Sequence, residues 1–233
     1  IQLPESVAIA ALSATVSNVE EFGAWMATVR GDTRIVLEEH RPVPLWQQVM
    51  ANAKLYDLFS GPDRQQVNPE LQRLTAQGPR SKRDTRRDRP PKNGRRPRDA
   101  RTPTRVEVVE KLEAADLLPA IYFIFSRAGT EDAVRLLVNS GLRLTSPDER
   151  RKIAQVIEDR CSVIPEADLL AVGFSEFSDS LQRGIAAHHA GMLPIFKEVV
   201  EELFQAAALK VVFATETLAL GINMPARTGV LER

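Results

Sequence analysis

Short, wholly apolar runs alternate along the chain with stretches whose apolar positions recur every three to four residues, the pattern of buried strands between amphipathic helices. Val7-Ala8-Ile9-Ala10-Ala11-Leu12 predicts a buried strand leaving its sheet at Ser13-Ala14-Thr15. Asn18, with Glu21 three residues on, predicts a helix start, and Val19, Phe22, Met26 and Val29 fall on one face of it. Gly31-Asp32 predicts a turn into a second strand over 34–38, and Arg41-Pro42-Val43-Pro44 an extended connection. The rhythm resumes with a helix over 106–115, an apolar strand over 120–125 and a helix over 130–139 stopped by Gly141. Ser146-Pro147-Asp148-Glu149 is a capping box with Pro at the first helical position and predicts a helix over 147–160. A strand over 184–189, a helix over 194–207 and a strand over 210–214 follow. Such alternation predicts an α/β fold, a parallel sheet with helices on both faces, whose ligands sit at the carboxyl ends of the strands.

Charge interrupts this picture. The 233 residues balance 31 Lys+Arg against 31 Asp+Glu, yet residues 61–105 alone hold 14 basic and 5 acidic residues and seven of the 15 prolines. From Thr75 to Arg105 the only apolar residues are Ala76 and Ala100. A segment so poor in apolar surface cannot offset its own ordering entropy, so a disordered basic insertion is expected at 61–105. It has two readings, a magnet for phosphate backbones or a solvated linker. One cysteine, Cys161, excludes an internal disulfide and suits a reducing, cytoplasmic setting, where a small buried apolar role is expected for it. No apolar run reaches the ~20 residues that span a bilayer, so no membrane partner is expected. The chain opens without Met and closes on Val230-Leu231-Glu232-Arg233 as an apolar run begins, so both ends are expected to continue into a longer protein.

Candidate chemistry gathers where the predicted strands stop, at Ser13-Ala14-Thr15, Ser126-Arg127, His188-His189-Ala190-Gly191 and Thr215-Glu216-Thr217. Hydroxyls, a guanidinium, imidazoles and small residues suit phosphate oxygens better than acid–base catalysis. Each cluster also has a plain role: Ser13 and Thr15 satisfying backbone at a strand end, Arg127 in a surface ion pair, Thr215 starting a helix. Adjacent His188 and His189 point to opposite faces of a strand, and no Cys lies near, so no metal site is expected and a capping or core hydrogen bond is the ordinary role for one of them. Glu198, Glu201 and Glu202 are expected on the solvated face of their helix, opposite Ile195, Phe196, Val199, Val200, Leu203 and Phe204. A Gly-x-x-x-x-Gly-Lys-Ser/Thr loop, an acidic magnesium box and a Gly-x-Gly-x-x-Gly motif are all missing from the sequence.

Longer motifs now become legible. Ala11-Leu12-Ser13-Ala14-Thr15 resembles motif III of superfamily-two helicases, and Phe123-Ile124-Phe125-Ser126-Arg127 resembles motif IV. Ala187-His188-His189-Ala190-Gly191-Met192-Leu193-Pro194, and the run from Val212 through Thr215-Glu216-Thr217 to Gly221-Ile222-Asn223-Met224-Pro225-Ala226, resemble the superkiller-type DExH branch. Glu39-His40-Arg41-Pro42-Val43-Pro44-Leu45 resembles the crossing between that family's two RecA-like domains. Within the branch the chain looks most like the actinobacterial HelY-type helicases, and the resemblance covers nearly everything but 61–105.

The resemblance implies one partial and one nearly complete RecA-like domain. Residues 1–40 would end the first, 41–60 begin the second and 106–233 continue it, truncated before motif VI. It implies a parent enzyme that unwinds RNA, or DNA, with ATP and Mg2+, and a fragment that is inactive alone and binds neither cofactor tightly. Ser13 and Thr15 would couple nucleotide state to domain closure. Ser126, Arg127, His189, Gly191, Thr215 and Thr217 would line the track for single-stranded nucleic acid, and Gly221 and Asn223 would face ATP across the cleft. The missing remainder of the first RecA-like domain would be a partner, and an exposed sheet edge would favour self-association. Two other classes compete: a non-catalytic nucleic-acid-binding module driven by the basic insertion, and a phosphate-binding α/β enzyme of unrelated chemistry.

Overall fold

In β5 (Ala120–Phe123), β6 (Ile185–His188) and β7 (Val211–Ala214), successive side chains enter two different apolar clusters, one on each face of a single parallel sheet. Ala120, Tyr122, Ile185, Val211 and Phe213 pack on one face with Val109 and Leu112 of α3 (Arg105–Ala114) and Ala133 and Leu137 of α4 (Arg127–Asn139). Ile121, Ala186, Val212 and Ala214 pack on the other with α5 (Pro147–Cys161), α7 (Phe174–Gln182) and α8 (Pro194–Gln205). The strand order is β6-β7-β5-β8, with β8 (Thr228–Leu231) on the outside and every pairing parallel. Burial on both faces explains why these strands read as unbroken apolar runs.

The computed structural model describes residues 3–4, 6–12, 18–38, 40, 43–61, 65–76, 102–215 and 225–232. They fall into two units, Ile1–Trp46 and Gln47–Arg233. None of the helices among the described residues is long and apolar enough to cross a membrane.

The first unit departs from its predicted strands. Residues 8–12 and 32–38 form no strand, and Leu12 is 98% exposed. A parallel strand needs neighbours for its ladder, and the described residues of this unit supply none. The predicted helix is present as α1 (Val19–Arg30). Asn18 occupies the N-cap position, but its side-chain amide donates to the Glu21 carboxylate at 2.8 Å instead of accepting from a backbone N–H. Arg30 draws the preceding segment onto the helix end, its guanidinium donating to the carbonyls of Leu3, Pro4 and Val7 at 2.9, 3.2 and 2.7 Å.

The second unit opens with strands that sequence reasoning missed. β1 (Gln48–Ala51) and β2 (Lys54–Asp57) form a hairpin whose two turn residues, Asn52 and Ala53, both have positive φ, as a tight type I′ turn requires. β3 (Phe59–Ser60) pairs with β4 (Gln66–Val67), and α2 (Pro69–Ala76) follows with Leu71 buried. The expected disorder from residue 61 is therefore corrected: β4 and α2 occupy the first part of that stretch. Leu71 is among the few apolar residues there and anchors the helix. Residues 77–101 lie outside the described residues.

Downstream, the predicted elements hold within a few residues. Thr104 with Glu107, and Ser146 with Glu149, form capping boxes at the starts of α3 and α5. Two helices unassigned from sequence, α6 (Glu166–Ala171) and α7, fill 166–182 around Gly173, whose φ of 70° suits glycine. Phe177 of α7 stacks on Phe196 of α8 with centroids 4.1 Å apart. β8 was also unassigned, and long-range hydrogen bonds pin it: Thr228 Oγ1 donates to Leu117 O at 2.7 Å and Arg227 reaches the Asp116 carboxylate at 2.7 Å.

Candidate nucleic-acid interface

Register fixes the rim. Phe123 pairs with Ala214, and Ala214 with His188, so the residues that follow β5, β6 and β7 emerge side by side at the carboxyl edge. Three of the four predicted clusters meet there: Ser126-Arg127, His189-Ala190-Gly191 and Thr215. The Thr215 N–H donates to His188 O at 3.2 Å, tying the β7 exit to the β6 exit. Ser13, Thr15, Thr217, Gly221 and Asn223 lie outside the described residues.

Ser126 is the N-cap of α4, and its Oγ accepts the Gly129 N–H at 3.2 Å. Arg127, the first helical residue, is exposed, and its guanidinium has no hydrogen-bond or ion-pair partner among the described residues. The other arginine near this edge is in a different state. Arg105 holds the Glu232 carboxylate at 2.8 and 3.0 Å, which lowers the pKa of Glu232 and raises that of Arg105. Burial and the same carboxylate push the Tyr122 hydroxyl up to about 12. Of the two guanidiniums, Arg127 is the one open to a phosphate.

The histidines divide as strand alternation demands. His188, 3% exposed, donates from Nε2 to Glu201 Oε1 of α8 at 2.7 Å, and its buried Nδ1 has no partner among the described residues. His189, also 3% exposed, turns the other way and bonds Glu131 Oε1 of α4 at 3.0 Å. Its Nδ1 accepts the Gly191 N–H at 3.1 Å. The His189 ring therefore stands behind the rim surface with both nitrogens engaged, while Gly191 is at the surface. Gly191 leaves little room: a Cβ there would lie 3.2 Å from His189 Nδ1 and 3.5 Å from Arg127 Cδ. That proximity joins the Arg127 stem, the imidazole and the 189–191 turn into one cluster.

Glu201 corrects the expectation of a wholly solvated carboxylate face on α8. It is the acceptor for a buried imidazole, and Glu202 is ion-paired with Arg160 at 2.8 Å. Glu131 is the other residue that sequence reasoning passed over. Its only local signal is its place one helical turn after Arg127.

Beside this geometry stand the similarities. No family model matches the chain. The helicase HelY of Mycobacterium tuberculosis (strain ATCC 25618 / H37Rv), described as probable, is 54% identical over 240 residues, all of this chain and 26% of HelY. The chain belongs to the HelY/Ski2-type DExH helicase family. The chloroplastic DExH-box ATP-dependent RNA helicase DExH15 of Arabidopsis thaliana is 33% identical over 261 residues, 99% of this chain and 21% of that protein. Superkiller complex protein 2 of Homo sapiens is 30% identical over 253 residues, 100% of this chain and 19% of that protein. The chain thus spans about a quarter of the HelY proteins it matches. For this family, the helix-flanked parallel sheet of β5 to β8 is a RecA-like helicase domain.

Proposed function

We propose that this chain supplies one jaw of an ATP-dependent helicase, the second RecA-like domain, which grips a single strand of RNA along the carboxyl rim of its sheet. The observation that carries the reading is the convergence of Ser126-Arg127, Gly191 and Thr215 at that rim, with the Arg127 guanidinium open. Hydroxyls and a guanidinium hold a sugar-phosphate chain without reading bases, and Gly191 lets that chain come close, which a motor moving along any sequence requires. Thr217 extends the same row in sequence. Gly221 and Asn223 would face ATP, while Ser13 and Thr15 would relay the nucleotide state to domain closure.

Residues 1–40 belong on this reading to the end of the first RecA-like domain, and the remainder to the second, interrupted by the basic segment. ATP with magnesium supplies the free energy that closes and reopens the two jaws. The 233 residues contain no phosphate-binding loop, so turnover requires the rest of the parent protein. A cytoplasmic setting agrees with the lone buried cysteine. The net basic charge of 61–105 favours a second reading, in which that segment supplies most of the affinity.

Equilibrium binding of single-stranded RNA against salt separates the two. Three chains are compared: intact, lacking 77–101, and carrying Arg127→Ala with Thr215→Ala. The jaw reading expects binding to survive the deletion, and the double substitution to weaken it about tenfold and lower the salt slope by about one. Binding that vanishes with the deletion and ignores the substitutions would assign the grip to the basic segment.

A further inference from the structure

Arg127 and Glu131 stand one turn apart on α4, a spacing at which a carboxylate ordinarily pairs with a guanidinium. Here they do not pair. Glu131 Oε1 instead lies 3.0 Å from Nε2 of the buried His189, 58 residues away, and Arg127 is left exposed. The hydrogen-bond directions define the imidazole. An ionised carboxylate can only accept, so Nε2 carries the proton, and the Gly191 N–H points at Nδ1, which must be bare. Together the two bonds engage both ring nitrogens of this buried imidazole. Gly191 is also where the Arg127 stem passes, 3.5 Å from the position a Cβ would occupy.

We infer that Glu131 is a positioning residue for the rim: it fixes the His189 ring in the Nε2–H form that anchors the 189–191 turn, and it keeps the carboxylate of α4 off Arg127. Two effects come from one bond. Gly191 is held where a sugar-phosphate chain can approach its backbone, and the guanidinium one turn earlier has no intrahelical competitor. The inference rests on the proposal that this rim grips nucleic acid.

The test uses the full chain, a single-stranded oligouridylate, and the variants Glu131→Ala, Glu131→Gln and Arg127→Ala. Gln retains an oxygen that accepts from Nε2–H, so Glu131→Gln should bind within about twofold of the unsubstituted chain, whereas Glu131→Ala should bind about tenfold more weakly. Nitrogen-15 spectra of the imidazole give a readout that does not depend on RNA. With three histidines in the chain, the His189 signals can be identified by substitution. A bare Nδ1 and a protonated Nε2 are expected in the unsubstituted and Gln chains, and a displaced Nε2 resonance, its acceptor lost, in the Ala chain. Thermal midpoints guard against a folding loss, since Glu131 is exposed and its removal should leave them within a few degrees. An unchanged Nε2 resonance in Glu131→Ala, or undiminished binding by it while Arg127→Ala binds weakly, would overturn the positioning role. If Arg127→Ala and Glu131→Ala both bind as well as the unsubstituted chain, the nucleic-acid reading of the rim falls, and the positioning role with it.

Discussion

At Gly129 two opposing effects can be weighed on one methyl group. Alanine there would gain up to ~1 kcal/mol of helix propensity in the first turn of α4. Its Cβ would also lie 2.9 Å from Ile124 Cγ2 and 3.3 Å from Ser126 Cβ. Ile124 is buried and β-branched, so it cannot swing aside, and overpacking of this kind costs ~1–3 kcal/mol. We expect Gly129→Ala to lower stability by ~1 kcal/mol in urea denaturation and to disturb the Ser126 cap beside Arg127. The polar residues at the strand ends were legible from sequence because they interrupt apolar runs. Their partners were not: Glu131 meets His189 across 58 positions, and Glu201 meets His188 from a helix face that reads as solvated.

Among the elements, α5 shows how a local signal and a distant one combine. Ser146 and Glu149 form the capping box, and Lys210, just before β7, adds its ammonium to Glu149 at 2.7 Å. The Lys210 hydrogen bond first, and the Ser146 backbone N–H second, bring the Glu149 carboxyl down to about 2 from an ordinary 4.5. A depressed folded-state pKa stabilises above the unfolded value, and that contribution is lost as pH falls from about 4.5 toward about 2. With the side chain about one-third exposed, solvent screening leaves an effect of ~1 kcal/mol. Urea midpoints measured between pH 3 and 7 should therefore vary less with acidification in Glu149→Gln than in the unsubstituted chain. The box was readable because its residues are three apart. The salt bridge was not, because the two partners are 61 positions apart. The β1–β2 hairpin escaped for a different reason. Its turn, Asn52-Ala53, places alanine at positive φ, where sequence rules look for glycine.

For the molecule as a whole, the sheet core of the second unit dominates stability. Phe213 is fully buried on β7 against Tyr122, with ring centroids 5.2 Å apart, and Phe213→Ala should cost ~3–5 kcal/mol in chemical denaturation. Burial also raises the pKa of the Cys161 thiol, which packs inside the opposite cluster. A thiol reagent should therefore leave the folded chain untouched and react only as that core opens, so fast labelling under native conditions would contradict this packing. Sequence alone determined the α/β alternation of the second unit, the strands β5, β6 and β7, the capped start of α5 and the family, because periodicity, capping and motif spacing are short-range properties that the chain carries in any environment. Tertiary structure decided the rest. It chose which carboxylate each histidine meets, which arginine stays open, and that β8 takes the edge beside β5. It also left the apolar runs of the first unit outside any described strand, because a strand forms only where neighbours supply hydrogen bonds and cover, and a hydrogen bond between distant residues exists only once the fold brings them together.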